Sequence, residues 1–187
     1  MYFMTFIATY ILNFYLQYGL GYTSHFTGLF LLATPLAVVF ISVFAGKLSD
    51  KMDERTISSV ALTFILINVI LLFFMDKVPV YILLFACILQ GIGHGLFSSP
   101  NNRFVLTQVD EKELTDASAI LSTSKDIGKS TSLSVFTIIC GFMLGSNNIL
   151  ENNIPSFITS SKIMLGIVIL LGLSSTVLLI LSKIKEK

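Results

Sequence analysis

Residues 81–103 read YILLFACILQGIGHGLFSSPNNR. An apolar run long enough to start a helix leads directly into three glycines, a histidine, a proline and two asparagines. In water, glycine costs about 1 kcal/mol and proline about 3 kcal/mol in a helix interior relative to alanine. A helix that continues through this stretch therefore needs neighbours that use the small residues and satisfy the freed backbone. The solvent around the chain decides whether that is reasonable.

Composition identifies that solvent. The chain has 187 residues, 54% of them hydrophobic, and a mean hydropathy of +0.85. Charged residues make up 12%, where a soluble domain carries about 25%. There are 16 phenylalanines and no tryptophan. The net charge of +1 offers no polybasic surface, so no nucleic-acid partner is expected. Cys87 and Cys140 sit inside apolar runs without metal-type spacing and read as small core residues. No metal or cofactor is expected. The opening MYFMTFIATY lacks a basic leader region and a small-residue cleavage site, so it is a poor signal peptide.

A membrane helix needs about 20 mostly apolar residues. On that measure the chain is an all-α integral membrane protein, a single six-helix bundle over residues 1–187. The expected spans are residues 2–20, 26–46, 56–75, 79–102, 117–145 and 162–183. Lys47, Lys51, Arg55, Arg103, Lys112, Lys183, Lys185 and Lys187 gather on one side, against Lys77 and Lys162 on the other. By the positive-inside rule the first side is cytoplasmic, and so are both termini. The third and sixth spans, with ILINVILLFFM and MLGIVILLGL, are the most uniformly apolar and can face lipid, while mixed spans must face protein or water. The other four carry the glycines, prolines and most polar groups. Two mixed spans and one apolar span, repeated, is the pattern of a 3+3 inverted repeat.

In lipid the opening stretch gains two readings. Gly91 and Gly95 are four apart and let another helix backbone approach closely, with Gly93 between them. Pro100 frees a carbonyl one turn back, which a packed neighbour or water can satisfy. The stretch is then either a packing face with a kink or a hinge beside a transport path. It is not a nucleotide loop, because Leu96 stands in the third glycine's place and no strand precedes it. His94 lies between two of the glycines. An imidazole there either titrates near neutral pH or bonds a neighbouring helix in its neutral form.

GKLSDKMDERT, residues 46–56, is a short charged loop between spans. It reads either as a solvated loop or as a conformational latch. In the second reading Gly46 lets two helices end close together, while Asp50 accepts bonds from a helix N-terminus or from Arg103 on the same face.

These residues resemble the major facilitator superfamily. GKLSDKMDER resembles its G-x-L-x-D-[RK]-x-G-x-[RK] loop at Gly46, Leu48, Asp50, Lys51 and Arg55, with Asp53 in place of the second glycine. GIGHGLFSSPNN resembles the G-x-G-x-G-x-F-x-x-P-N-N run of the fourteen-span drug/proton antiporters. TYILNFYLQYGLGYTSHFTGLFLL is similar to the helix-loop-helix that opens their C-terminal half. ASAILSTSKDIGKS resembles their A-S-x-x-x-x-x-R-x-x-G segment, with Lys125 and Gly128 in the matching places. The four segments occur in the family's order and cover nearly the whole chain. The resemblance is to the C-terminal six helices alone, one half of the fold. It implies a fragment, a truncated gene or a half that must pair.

In the fifth span, Lys129 lies about 20 Å along the helix from Asp116, the expected N-cap. Asp126 and Lys129 are three apart and can pair, and Lys125 can extend to the interface. They form either a paired group at the membrane edge or the charged wall of a water-filled cavity. Asp126 is the sole acid placed within a span, which makes it the leading carboxylate for proton coupling, with Lys129 and His94 beside it. Ser124, Gly128 and Ser132 form a small face for helix contact. In the first span Tyr10, Asn13 and Gln17 share one face, with Phe6 and Phe14 nearby. They either satisfy one another across helices or line a pocket for an amphipathic substrate. The resemblance places this helix at the cavity. Asn68 reads as a structural hydrogen bond.

The resemblance implies a proton-coupled multidrug efflux transporter of the cell membrane, exporting amphipathic cationic or neutral compounds by alternating access. No enzymatic chemistry is expected. The partners expected are the lipid bilayer, small amphipathic substrates, protons, and a second six- or eight-helix half or a homodimer partner. The competing readings are an inactive truncated remnant and a non-transporting membrane protein that assembles with a partner.

Overall fold

The computed structural model describes residues 1–49, 54–144 and 153–185; of residues 49, 54, 55, 144 and 179–185 only the backbone is described. Among the described residues every regular element is helical. The first helix, α1, runs Tyr2–Phe14 and continues as a π turn over Tyr15–Gly19. A short α2, Ser24–Leu31, leads into α3, Ala33–Ser49. Then come α4, Glu54–Phe73, and α5, Val80–Thr107. A 3₁₀ turn, Glu111–Glu113, precedes α6, Leu114–Leu144, and α7 is Ile154–Lys185.

Among the described residues, four stretches are long and apolar enough to cross a membrane: Ser24–Leu48, Thr56–Phe73, Val80–Thr107 and Ile154–Leu178. The α1 helix is short on its own, and α6 carries Lys125, Asp126 and Lys129 along its length. Several helix ends differ from those expected. The last helix starts at Ile154 rather than residue 162, with Pro155 in its first turn, where a missing N–H costs nothing. The α5 helix runs through Pro100 to Thr107, so Arg103 lies inside a helix and not in a loop. Asp116 lies in the first turn of α6 rather than capping it.

The α5 helix packs between α3 and α4, with α7 on α4 and α6 on α1 and α7, and the buried core lies among α1, α4, α5, α6 and α7. Three glycines bring α5 close to both neighbours. A Cβ on Gly91 would lie 2.5 Å from the Thr34 carbonyl oxygen of α3, and one on Gly95 3.2 Å from that of Val38. On the opposite side, a Cβ on Gly93 would lie 2.7 Å from the Ala61 carbonyl oxygen of α4. Polar side chains fasten the same contacts. Thr34 Oγ1 donates to the Cys87 carbonyl at 3.1 Å, and Asn68 Nδ2 donates to the Ala86 carbonyl at 2.8 Å. Without water to compete, each such bond joins two helices.

Being apolar all round leaves the sixth span with a broad exposed face, but it does not put the third span at the surface. The third span, α4, buries Ile57, Ala61, Leu62, Ile65, Leu66, Val69 and Leu72 in the core. Of the four stretches long and apolar enough to cross a membrane, the least covered is Ser24–Leu48, with 11% of its window buried against 50% for α5. On α3, Leu36, Val39, Phe40, Val43 and Phe44 recur at helical spacing and stand exposed, Phe40 by 67%. Lipid tails are as apolar as a protein core, so hydropathy does not separate the two surroundings.

Candidate functional site

The polar groups of this bundle converge where α1, α3, α5 and α6 meet. The α5 helix presents Gln90, His94, Ser98 and Asn102, each four residues from the last and therefore on one face. Each has a partner on another helix. Gln90 Nε2 donates to the Thr5 carbonyl at 2.9 Å and to Thr9 Oγ1 at 2.7 Å. His94 meets the Tyr2 ring edge-on at 5.5 Å between centroids. Ser98 Oγ shares a hydrogen bond of 3.3 Å with the Tyr2 hydroxyl. Asn102 Oδ1 accepts from Lys125 Nζ at 2.8 Å, and that ammonium stands 5.4 Å from the Tyr2 ring centroid.

Two adjoining cavities run beside this ladder along α1. One, of about 270 Å³, is lined by Tyr2, Thr5, Phe6, Thr9, Thr34, Gln90, His94 and Lys129. The other, of about 280 Å³, is lined by Phe6, Thr9, Tyr10, Asn13 and Leu31. Phe6 and Thr9 belong to both, so the two form one groove with an aromatic waist. Such a groove, mostly apolar with a few placed polar groups, is the form of a small-molecule site.

The structure distributes the residues singled out in the sequence as follows. Tyr10 and Asn13 are in the groove wall. Gln17 lies just beyond it, donating to Asn13 Oδ1 at 2.8 Å and accepting from Ser24 Oγ at 3.0 Å. Phe14 packs among Tyr10, Tyr18 and Phe157. His94 and Lys129 share the first cavity. Asp126 Oδ1 meets Lys129 Nζ at 2.9 Å, but its side chain is 70% exposed and lines neither cavity. Lys125 turns to Asn102 and Tyr2. Gly128 sits against the start of α1, where a Cβ would lie 3.6 Å from the Phe3 nitrogen, an ordinary contact. Of the latch, Asp50 and Lys51 lie outside the described residues and the side chain of Arg55 is not described, so the contact with Arg103 has no geometry here. Among the described residues no group of three or more His, Cys, Asp or Glu could hold a metal ion.

The sequence reading missed Gln90, Ser98 and Asn102. Their four-residue spacing was visible, but the partners that make them a ladder come from α1 and α6.

Comparison with known proteins decides the family. A profile described as the Major Facilitator Superfamily matches residues 1–183. The chain belongs to the Major Facilitator Superfamily. Among curated relatives, the riboflavin transporter RibZ of Clostridioides difficile is 26% identical over 129 residues, 68% of this chain and 28% of the relative. An uncharacterized transporter of Escherichia coli, YebQ, is 30% identical over 106 residues, 56% of this chain and 23% of the relative. Each match thus covers about a quarter of the relative's length. Membership makes this a multi-pass membrane protein of a transporter family and points away from an enzyme.

Proposed function

We propose that this chain is the C-terminal, six-helix half of a proton-coupled exporter of amphipathic compounds. In this reading α1, the α2–α3 pair, α4, α5, α6 and α7 are the six spans, arranged as a 3+3 inverted repeat, with both termini cytoplasmic. The observation that carries it is the groove along α1, set among membrane-spanning helices and walled by Phe6, Tyr10, Asn13, His94 and Lys129. Aromatic surface supplies affinity and a few polar groups supply orientation. Asp126, Lys129 and His94 are the proton-coupling groups, because ionisable side chains within membrane helices mark ion pathways.

Alternating access needs a second bundle facing this one. The exposed apolar stripe on α3 supports a partner there, either a further six- or eight-helix half or a second copy. The riboflavin transporter among the relatives is named for a planar heteroaromatic ligand, and that shape suits a groove with an aromatic waist.

The test uses membrane vesicles from cells that make this chain, beside vesicles from cells in which it is deleted. A pH gradient is imposed and transport of a fluorescent amphipathic dye is followed. Gradient-driven transport that disappears on deletion and on Asp126→Asn is the expected result. Equal transport with and without the chain would end the exporter reading and leave the remnant or non-transporting partner in its place.

A further inference from the structure

The groove is not electrically neutral. The helices α1, α3 and α5 contribute no acidic residue to it, since none of the three contains Asp or Glu. Its charge comes from α6, through Lys129 in the wall and Lys125 behind Tyr2. Lys125 donates to an amide oxygen, which carries no charge, and among the described residues no carboxylate forms an ion pair with it. Asp126 balances one cation of the two, and it does so from outside: its side chain is 70% exposed, against 40% for Lys129. The Lys129 ammonium has three N–H donors. Asp126 takes one, and no other described group accepts from it. Lys129 thus brings to the cavity wall an ammonium with two donors to spare, and the two lysines there outnumber the one carboxylate.

We infer that Lys129 determines specificity in this groove, selecting uncharged or anionic aromatic ligands with an acceptor oxygen and rejecting cationic ones. The ligand's carbonyl, hydroxyl or carboxylate oxygen accepts from Lys129. Its ring system lies along Phe6 toward Tyr10 and Asn13. Each cavity alone lies below or at the lower limit of small-molecule sites, about 300 Å³, and the two together fall within the usual range, which suits an elongated ligand over a compact one. This departs from the cationic-or-neutral substrates that the family resemblance implies, dropping cations and admitting anions, and it rests on the reading of the groove as a transport site.

Three anthracenes of nearly one shape test it: the 9-carboxylate, the 9-methanol and the 9-methylammonium. The full chain is placed in nanodiscs of zwitterionic phosphatidylcholine, and saturable binding is read by fluorescence against empty discs. The carboxylate and the alcohol are each expected to bind at least tenfold more tightly than the ammonium. Lys129→Gln should shrink that ratio to about threefold or less, Lys129→Arg should keep it, and Asp126→Asn should widen it, each variant being checked for the parent's thermal transition. Ammonium binding as tight as the others in the unaltered chain overturns the inference while leaving the transport site intact. So does a ratio that neither Lys129→Gln nor Asp126→Asn moves. Absence of saturable binding by all three overturns both readings together.

Discussion

Gly91→Ala tests how the central helix is held. The added Cβ would sit 2.5 Å from both the Thr34 carbonyl oxygen and the Ala37 Cβ, where ordinary contact begins at 3.4 Å. The Thr34 oxygen is backbone, so no side-chain rotation relieves the clash, and α3 must retreat by roughly 0.9 Å. Overpacking of this kind costs about 1–3 kcal/mol. The retreat also pulls Thr34 Oγ1 from the Cys87 carbonyl, now 3.1 Å away, at about 0.6 kcal/mol for an average interhelical bond. Working against these is the gain from replacing glycine by alanine in a helix, about 1 kcal/mol. Gly166→Ala is the internal control, because it brings the same gain at a site with no atom within 4 Å. The two variants should therefore differ by about 1.6–3.6 kcal/mol in unfolding free energy, measured by denaturant titration in mixed micelles. If Gly91→Ala proves as stable as Gly166→Ala, then α3 and α5 do not approach as closely as described. The account of why glycines stand in a transmembrane helix would then fail.

Three further outcomes follow from single contacts. Gln90→Leu removes both bonds from α5 to Thr5 and Thr9, and should cost about 0.6–1.7 kcal/mol in the same titration. Gly128→Ala, at an ordinary contact distance from α1, should change stability by less than about 1 kcal/mol. Asp76, in the turn after α4, accepts from Lys162 Nζ at 2.7 Å, and that hydrogen bond holds its carboxyl below the usual carboxylate range. A depressed folded pKa adds stability above the unfolded value, near 3.9, and that stability is lost as pH falls through the folded value. The unaltered chain should thus exceed Asp76→Asn at pH 7 by about 0.2–1 kcal/mol, the range for partly exposed pairs, with the gap closing below about pH 4. A gap that persists at low pH would show that the ion pair is not its source.

The physics of the bilayer made the fold class readable from the chain alone. Backbone groups in hydrocarbon must be satisfied within their own segment, so long apolar runs such as YILLFACIL had to be helical. The i, i+4 spacing of Gly91 and Gly95 announced a close approach, and α3 makes it there. The same physics hid which faces meet. Because a lipid tail is as apolar as a leucine side chain, nothing in ILINVILLFFM shows that α4 is packed between α5 and α7, nor does the sequence of α3 show that its Phe40 stands exposed. The site lay partly in view in the same way. Tyr10, Asn13 and His94 carried their chemistry on the surface of the sequence. Gln90, Ser98 and Asn102 became a ladder through Thr9, Tyr2 and Lys125, residues 81, 96 and 23 positions away. Helical spacing is a local property, legible along the chain. The meeting of α1, α5 and α6 is decided by how helices pack against one another, and that packing alone turned scattered polar side chains into a groove with a positive wall.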